Sequence, residues 1–450
     1  MSRMFSSGDA QPNARSCVAS STDVYLLASD APHPPLNGAA PSNPAAPSDA
    51  AQLSDVCRKR ASKRLMSLDA LRGLNMLFII GLSAVIVEIC NLCPGSFSDA
   101  LKTQMTHVEW NGIRHHDTIF PLFLFLAGAS FPFSLGKARA NGLPTWRIVL
   151  KVVYRGLALV LLGVIYNNGV NFDFANLRFG SVLGHIGLGW MFAALLFMSL
   201  RRRWLIAISA VVLVGYWLAL VLVPAPDVNP PEAFSRAAFA ERFENLLTPE
   251  KSESIQKNLS MEGSLVGYVD RSIMPGKLYK KVHDPEGLAS TLPAIVTALL
   301  GMLFGSVLRS PQTDEYRKVL TLLGFGVALT AVGYLWHDVF PINKNLWNSS
   351  FVCFVGGCSA IALGVFYLII DVWGLRRWAL AFVVVGANPL AIYLGRKFFD
   401  LNYTRDFFFG DAITRFVPDA YQTLATTCAG LLVGWLILLW LYRRRIYIKI

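Results

Sequence analysis

THVEWNGIRHHDTIFPLFLFLAG, residues 106–128, decides the class of this chain. A histidine, a Trp-Asn-Gly turn and a His-His pair run straight into an apolar stretch that carries a carboxylate, Asp117, near its start. An ionised group at the edge of hydrocarbon costs a few kcal/mol on even the mildest scale, so it is retained for a purpose. A histidine and a carboxylate beside a membrane-spanning run point to proton handling at the membrane surface.

The rest of the chain has the same character. Of 450 residues, 54% are hydrophobic and 16% charged, against about 25% charged in soluble proteins. Mean hydropathy is +0.45. Ten apolar runs approach the roughly 20 residues a bilayer core requires. They lie near 68–90, 117–136, 148–167, 182–200, 204–223, 289–308, 318–336, 350–371, 378–395 and 421–442. None alternates as a barrel strand does, and lipid leaves backbone groups no partner but their own chain, so an all-α integral membrane protein of about ten helices is expected.

Residues 1–64 are polar and rich in Pro, Ala and Ser, as in APHPPLNGAAPSNPAAPSDA. They are expected to be a disordered tail with no apolar core of a cleavable signal peptide, and 65–450 to be one polytopic domain. Lys and Arg orient it. With the N-terminus inside, inner segments hold 22 of them and short outer loops 8. The long loop at about 224–288 is exempt, since long loops cross largely regardless of charge. Both termini are therefore expected in the cytoplasm and that loop outside. The net charge of +12 follows from this asymmetry and anionic lipid, without nucleic acid. Seven cysteines follow no zinc spacing, and no metal is expected. Cys90 and Cys93 are equally compatible with a disulfide and with two packed thiols.

Polar residues gather on the expected outer side: His107, Trp110 and Asn111; Asp117; Asn167 and Asn168; Arg178 and His185; Asp270 in GYVDR; Asp284 and Glu286 in DPEG; Asn343, Lys344 and Trp347 in FPINKNLW. Aromatic rings beside amide and carboxylate groups suit a sugar. DPEG has a plainer reading, with Asp284 capping the next helix and Pro285 in its first turn. On the inner side Asp69 and Arg72 open the first helix, with Lys151 and Arg155 further along. Dipole and headgroup anchoring explain the first two as well as contact with nucleotide phosphates does.

SLDALRG (67–73), HVEWNG (107–112) and HDTIFPLFLFLAG (116–128) resemble the transmembrane acetyltransferases typified by heparan-α-glucosaminide N-acetyltransferase. GYVDR, DPEG and FPINKNLW extend the resemblance over about 65–450. It implies an enzyme of the inner membrane that passes an acetyl group from cytoplasmic acetyl-CoA to a glucosamine-type amine on the periplasmic side. His107 would then be the general base, Asp117 would orient it or hold the ammonium, and Asp69, Arg72, Lys151 and Arg155 would meet the cofactor. Trp110, Asn111, His185, Asp270, Asp284, Glu286, Asn343, Lys344 and Trp347 would bind substrate. His115 and His116 are expected at the interface.

Two positions depart from the family. Ser83 stands where an assisting asparagine is common, and its hydroxyl has shorter reach towards an oxyanion. His185 replaces a longer Arg or Gln. The partners expected are lipid, the amino sugar and, compatibly, a second copy in a homodimer. An amino-sugar transporter is the alternative, weakened by the lack of two similar halves with matching broken helices.

Overall fold

The computed structural model describes residues 65–168 and 176–448; the 1–64 segment read as a tail lies outside them. Every regular element among these residues is helical, apart from one isolated bridge pairing Arg178 with Gly276. Among the described residues nine helices are long and apolar enough to cross a membrane. They are α1 (Met66–Leu92), α3 (His115–Ala140), α4 (Thr145–Asn168), α5 (Val182–Ser199), α6 (Arg202–Leu222), α10 (Thr291–Arg309), α11 (Glu315–Trp336), α12 (Ser349–Val372) and α16 (Asp419–Arg443). Short helices α2 (Ser96–Gln104), α7 (Arg236–Glu244), α8 (Glu253–Asn258) and α9 (Leu265–Ile273) lie in the connections.

The expected span at 378–395 is not continuous. It is divided into α13 (Leu380–Ala387) and α14 (Pro389–Phe398), and a further helix, α15 (Leu401–Phe416), follows. The cause is Pro389, which has no N–H and excludes its predecessor from the helical region, so Asn388 sits at φ −134°, ψ 49°. Polar backbone freed by such a break needs partners in lipid. Asn388 binds the segment after α16 instead, donating from Nδ2 to Ile446 O at 2.8 Å and accepting from Ile448 N at 3.0 Å.

Small residues set the centre of the bundle. A β-carbon at Gly128 would lie 2.2 Å from Ala298 O, and one at Gly301 2.1 Å from Phe125 O. The α3 and α10 backbones therefore touch, as membrane helices do where packing replaces the hydrophobic effect. These two are the most enclosed spans, and α3 carries Asp117. In α1, a π-turn at Phe78–Leu82 contains Gly81 at φ +152°, a conformation that favours glycine. Residues 223–290 close one end of the bundle. There Arg242, fully buried, donates to Leu222 O at 2.9 Å, Ala233 O at 2.8 Å and Ser254 Oγ at 2.9 Å. Below, this is the capped end; the end carrying Arg201–Arg203, Arg309 and Arg443 is the basic end.

Candidate functional site

At the capped end the turn that begins with Trp110 is tied to the segment before α12. Gly112 N donates to Ile342 O at 2.7 Å, and Asn343 Nδ2 donates to Asn111 Oδ1 at 3.0 Å. This docking brings Lys344 to the start of α3. His107 Nδ1 lies 2.6 Å from Asp117 Oδ1, and Lys344 Nζ lies 3.3 Å from that oxygen and 3.1 Å from Nδ1. Asp117 Oδ2 accepts from Val108 N and Arg114 N, each at 3.2 Å. Two bare acceptors do not approach to 2.6 Å, so the proton between His107 and Asp117 sits on Nδ1. Nε2 is then the basic atom. Asp117 is buried while the His107 side chain is 54% exposed, which suits a base that meets solvent-borne substrate.

Ser83 does not reach His107. Its hydroxyl is 3.2 Å from Phe78 O, across the π-turn, and 3.4 Å from His116 Nδ1. Since Phe78 O can only accept, the hydroxyl proton is directed there, away from any oxyanion. The His116 ring packs edge-on to His107 with centroids 4.5 Å apart, so Ser83 touches the site through His116. His116, read from sequence as an interface residue, is thus a neighbour of His107.

DPEG forms a second cluster rather than a cap. Helix α10 starts only at Thr291, and Asp284 is buried against Arg178, whose Nε and Nη2 reach its two oxygens at 2.8 Å each. The same Nη2 reaches Glu286 Oε2 at 2.5 Å, and the guanidinium lies 4.5 Å from the centre of the Tyr279 ring. The capping reading is therefore corrected: a bidentate arginine claims the carboxylate. Burial works against the Asp284 carboxylate, but Arg178 and the N–H groups of Glu286 and Tyr279 outweigh it and hold its pKa low. Glu286 goes the other way, raised by burial and then by the charge of Asp284. Glu286 is also close enough to Lys344 for their charges to interact, which links this cluster to His107.

Asp270 is fully buried. Its Oδ1 accepts from Leu288 N at 2.9 Å, Oδ2 has no partner, and burial pushes its pKa up to about 7. It fixes the segment before α10 from inside. His185 is likewise buried, with Nδ1 3.5 Å from Thr291 Oγ1 and Nε2 unpartnered, between the Phe120 and Trp347 rings. Trp347 lies in the core, its Nε1 donating to Thr297 Oγ1 at 3.2 Å. Asn343 is buried too and accepts from Leu346 N at 3.0 Å, which shapes the turn that presents Lys344. Trp110 is half-buried, donates to Leu259 O at 3.0 Å and packs edge-on to His283. Of the nine sugar-contact expectations, Lys344 meets the exposed histidine, Asn111 is bonded to Asn343 beside it, and Glu286 pairs with Arg178; Asp284, Asp270, Asn343, His185 and Trp347 are interior supports.

The basic end gathers a different chemistry. Arg72 donates to Asp69 Oδ1 at 3.2 Å and to Ser130 Oγ on α3 at 2.8 Å. Arg155 lies 4.9 Å from the centre of the Trp190 ring and close enough to Arg72 for their charges to interact. A groove of about 270 Å³ beside it is lined by Lys151, Arg155, Ser134, Tyr154 and Trp190 and, on its apolar walls, by Phe131, Leu135, Ala138, Ile148 and Val152. Its arginine, lysine and indole match a nucleotide polyanion in donor type and charge, and Arg72 stands nearby outside the groove. A separate cavity of about 230 Å³ lies between α1, α3 and α12, from Leu71 and Phe366 to Phe78 and His115. Cys90 and Cys93 are both free thiols. Among the described residues no three His, Cys, Asp or Glu side chains gather as a metal site would.

Sequence reading gave Arg178 no partner, since its pairing with Asp284 spans 106 residues; the signal available was an arginine beside a carboxylate pair at the same membrane face. Tyr279 and Ser130 carried no signal at all. Comparison with known proteins places these features. A family model described as a domain of unknown function, DUF5009, matches residues 64–223. Human (Homo sapiens) heparan-alpha-glucosaminide N-acetyltransferase is 26% identical over 436 residues, covering 86% of this chain and 60% of the relative. The mouse (Mus musculus) protein of the same name is 24% identical over 440 residues, covering 87% and 61%. The chain thus spans about three fifths of the length of the curated relatives it matches. The chain is similar, over most of its own length, to heparan-alpha-glucosaminide N-acetyltransferases of two mammals.

Proposed function

We propose that this chain is a transmembrane N-acetyltransferase of the inner membrane, moving an acetyl group from cytoplasmic acetyl-CoA to the amine of a glucosamine-type sugar on the periplasmic side. The observation that carries the reading is the histidine, carboxylate and lysine cluster at the capped end, with a basic groove at the opposite end. His107 Nε2 takes a proton from the acceptor amine as its nitrogen attacks the thioester carbonyl. Asp117, bonded to Nδ1, steadies the imidazolium that forms. The carbon–nitrogen bond forms, the carbon–sulfur bond breaks, and the sulfur leaves as thiolate. Lys344 has three N–H donors and can face the carbonyl oxygen with one while holding Asp117 with another. Arg72, Lys151 and Arg155 would hold the phosphates. The apolar cavity that ends at Phe78 and His115 supports a path for a thin acyl-bearing arm towards the histidines.

The break at Asn388 and Pro389 favours the carrier reading, since carriers use discontinuous helices at their sites. Here, however, the Asn388 amide is spent on the backbone of Ile446 and Ile448. Purified protein with acetyl-CoA and glucosamine should yield N-acetylglucosamine by mass spectrometry, and His107→Ala should lose about 10²–10⁴-fold in rate while still binding CoA. Near-normal turnover by that variant would refute the assignment. Amino-sugar uptake into proteoliposomes without acetyl-CoA would establish the carrier instead.

A further inference from the structure

The cavity between α1, α3 and α12 ends at Phe78 and His115. On α3, His116 packs edge-on to His107, and its predecessor His115 lies about 100° round the helix and faces another way. His115 packs on Phe78, which opens the π-turn of α1, with ring centroids 4.5 Å apart and planes at 56°. Its backbone is held as well, since His115 N donates to Gln104 Oε1 of α2 at 2.9 Å. The other polar side chains on the cavity wall have partners. Thr118 Oγ1 donates to His115 O at 2.8 Å, Ser359 Oγ to Val355 O at 2.6 Å and Asn75 Nδ2 to Ile119 O at 2.7 Å. The Cys358 thiol lies 3.9 Å from Thr330 Oγ1, whose own proton goes to Gly326 O. His115 Nδ1 is different: it is enclosed and has no hydrogen-bond partner. An enclosed polar atom without a partner is costly, and a ligand that completes it gives it a reason.

We propose that His115 receives the departing sulfur of the acyl donor, its Nδ1–H donating a hydrogen bond to the thiolate. The proposal rests on the acetyl-transfer reading above and adds a catalytic residue to it. As the carbon–sulfur bond breaks, its electron pair goes to sulfur, while the amine proton goes to His107 Nε2. Lys344, in contact with His107, faces the carbonyl oxygen, so the sulfur trails in the cavity through which its arm entered. A thiolate there is a charge against the apolar walls of Leu71, Leu74 and Leu122, and it is unstable without a donor. An imidazole with its hydrogen on Nδ1 supplies that donor and keeps its proton; the thiolate leaves with CoA and is protonated by water.

The test uses the full chain in detergent and reads the thiol of bound CoA. That thiol is titrated by its thiolate ultraviolet absorbance, with desulfo-CoA as the blank. The wild type should ionise it about one to two pH units below the value in His115→Phe, the scale of one hydrogen bond to a charged group. His115→Asn, which places an N–H near the Nδ1 position, should restore most of the shift; His115→Leu replaces the phenylalanine variant if that does not fold. In acetyl transfer to glucosamine, His115→Phe should lower kcat by about 10–100-fold, and His115→Asn should recover most of it. Equal thiol ionisation in the wild type and His115→Phe overturns the proposal and, where the wild type turns over, leaves the acetyltransferase standing. A lowered thiol pKa that vanishes in His115→Phe, without turnover of any amine, supports the sulfur site and rejects the acetyltransferase. Failure of the wild type to bind CoA overturns both.

Discussion

Asp117→Asn removes a charge while keeping a shape, and the geometry fixes what should follow. The carboxylate takes His107 Nδ1 at 2.6 Å, Lys344 Nζ at 3.3 Å and the N–H groups of Val108 and Arg114 at 3.2 Å. An amide has one oxygen for these tasks. If that oxygen stays with the N–H groups of Val108 and of Arg114, the cap of α3, its NH₂ faces Nδ1 and requires a lone pair there. The imidazole proton then moves to Nε2, the atom that must accept a proton from the amine. If the amide turns the other way, the correct tautomer survives, but the α3 cap and the turn at Val108 each lose a bond and Lys344 still loses its counter-charge. Either arrangement disables the base in the transition state without removing a binding group. General-base catalysis is worth about 10²–10⁴ in rate, or roughly 3–5 kcal/mol. Acetyl transfer to glucosamine, followed by release of free thiol, should show kcat lower by that range with KM for acetyl-CoA nearly unchanged. A variant within about threefold of wild-type kcat would refute the role given to Asp117.

Arg72→Ala should weaken CoA binding by about tenfold, the scale of one charge-assisted hydrogen bond, in a thermal-shift titration; equal stabilisation of both proteins by CoA would remove Arg72 from the phosphate site. Asp270 predicts a pH dependence of stability. Its pKa is raised from 3.8 to about 7, so its contribution is full below pH ~4 and is lost as pH rises through ~7, by at most roughly 4 kcal/mol. Asp270→Asn, which cannot ionise, should flatten that fall between pH 5 and 8, and melting curves at the two pH values read it directly. Cysteine at Leu247, an exposed position in the loop before α8, should label with a membrane-impermeant reagent from outside if both termini are cytoplasmic; labelling only from inside would invert the topology.

The helices were legible because hydrocarbon imposes a length and a composition that a single chain displays. Nine of the ten expected runs are long helices near the positions read for them, and the tenth failed at Asn388–Pro389, where a visible Asn-Pro pair was outweighed by the apolar residues around it. The His107–Asp117 pair was legible because a ten-residue turn brings its members together locally. Lys344 was named but not its place, because its contact with His107 spans 237 residues and is made by the docking of two turns. Trp347 and His185 show the converse. An aromatic or imidazole beside a helix mouth can face water or core with the same sequence, and here both face the core.

Burial divides the polar residues of the capped end by task. Exposed polar atoms can exchange water for substrate, whereas buried ones must keep the partners they have. Asp284 cannot release Arg178 to greet a sugar without leaving a buried charge uncompensated, a cost of about 3–5 kcal/mol. Arg178 and Asp284 are therefore the frame that holds the partly buried Glu286, and Asn343 is the frame that holds Lys344. Both frames converge on His107, through contact in the case of Lys344 and through the charge of Lys344 in the case of Glu286. A change to either frame should then act on the rate through the position of Glu286 or Lys344, and a change to Glu286 or Lys344 should act on it directly.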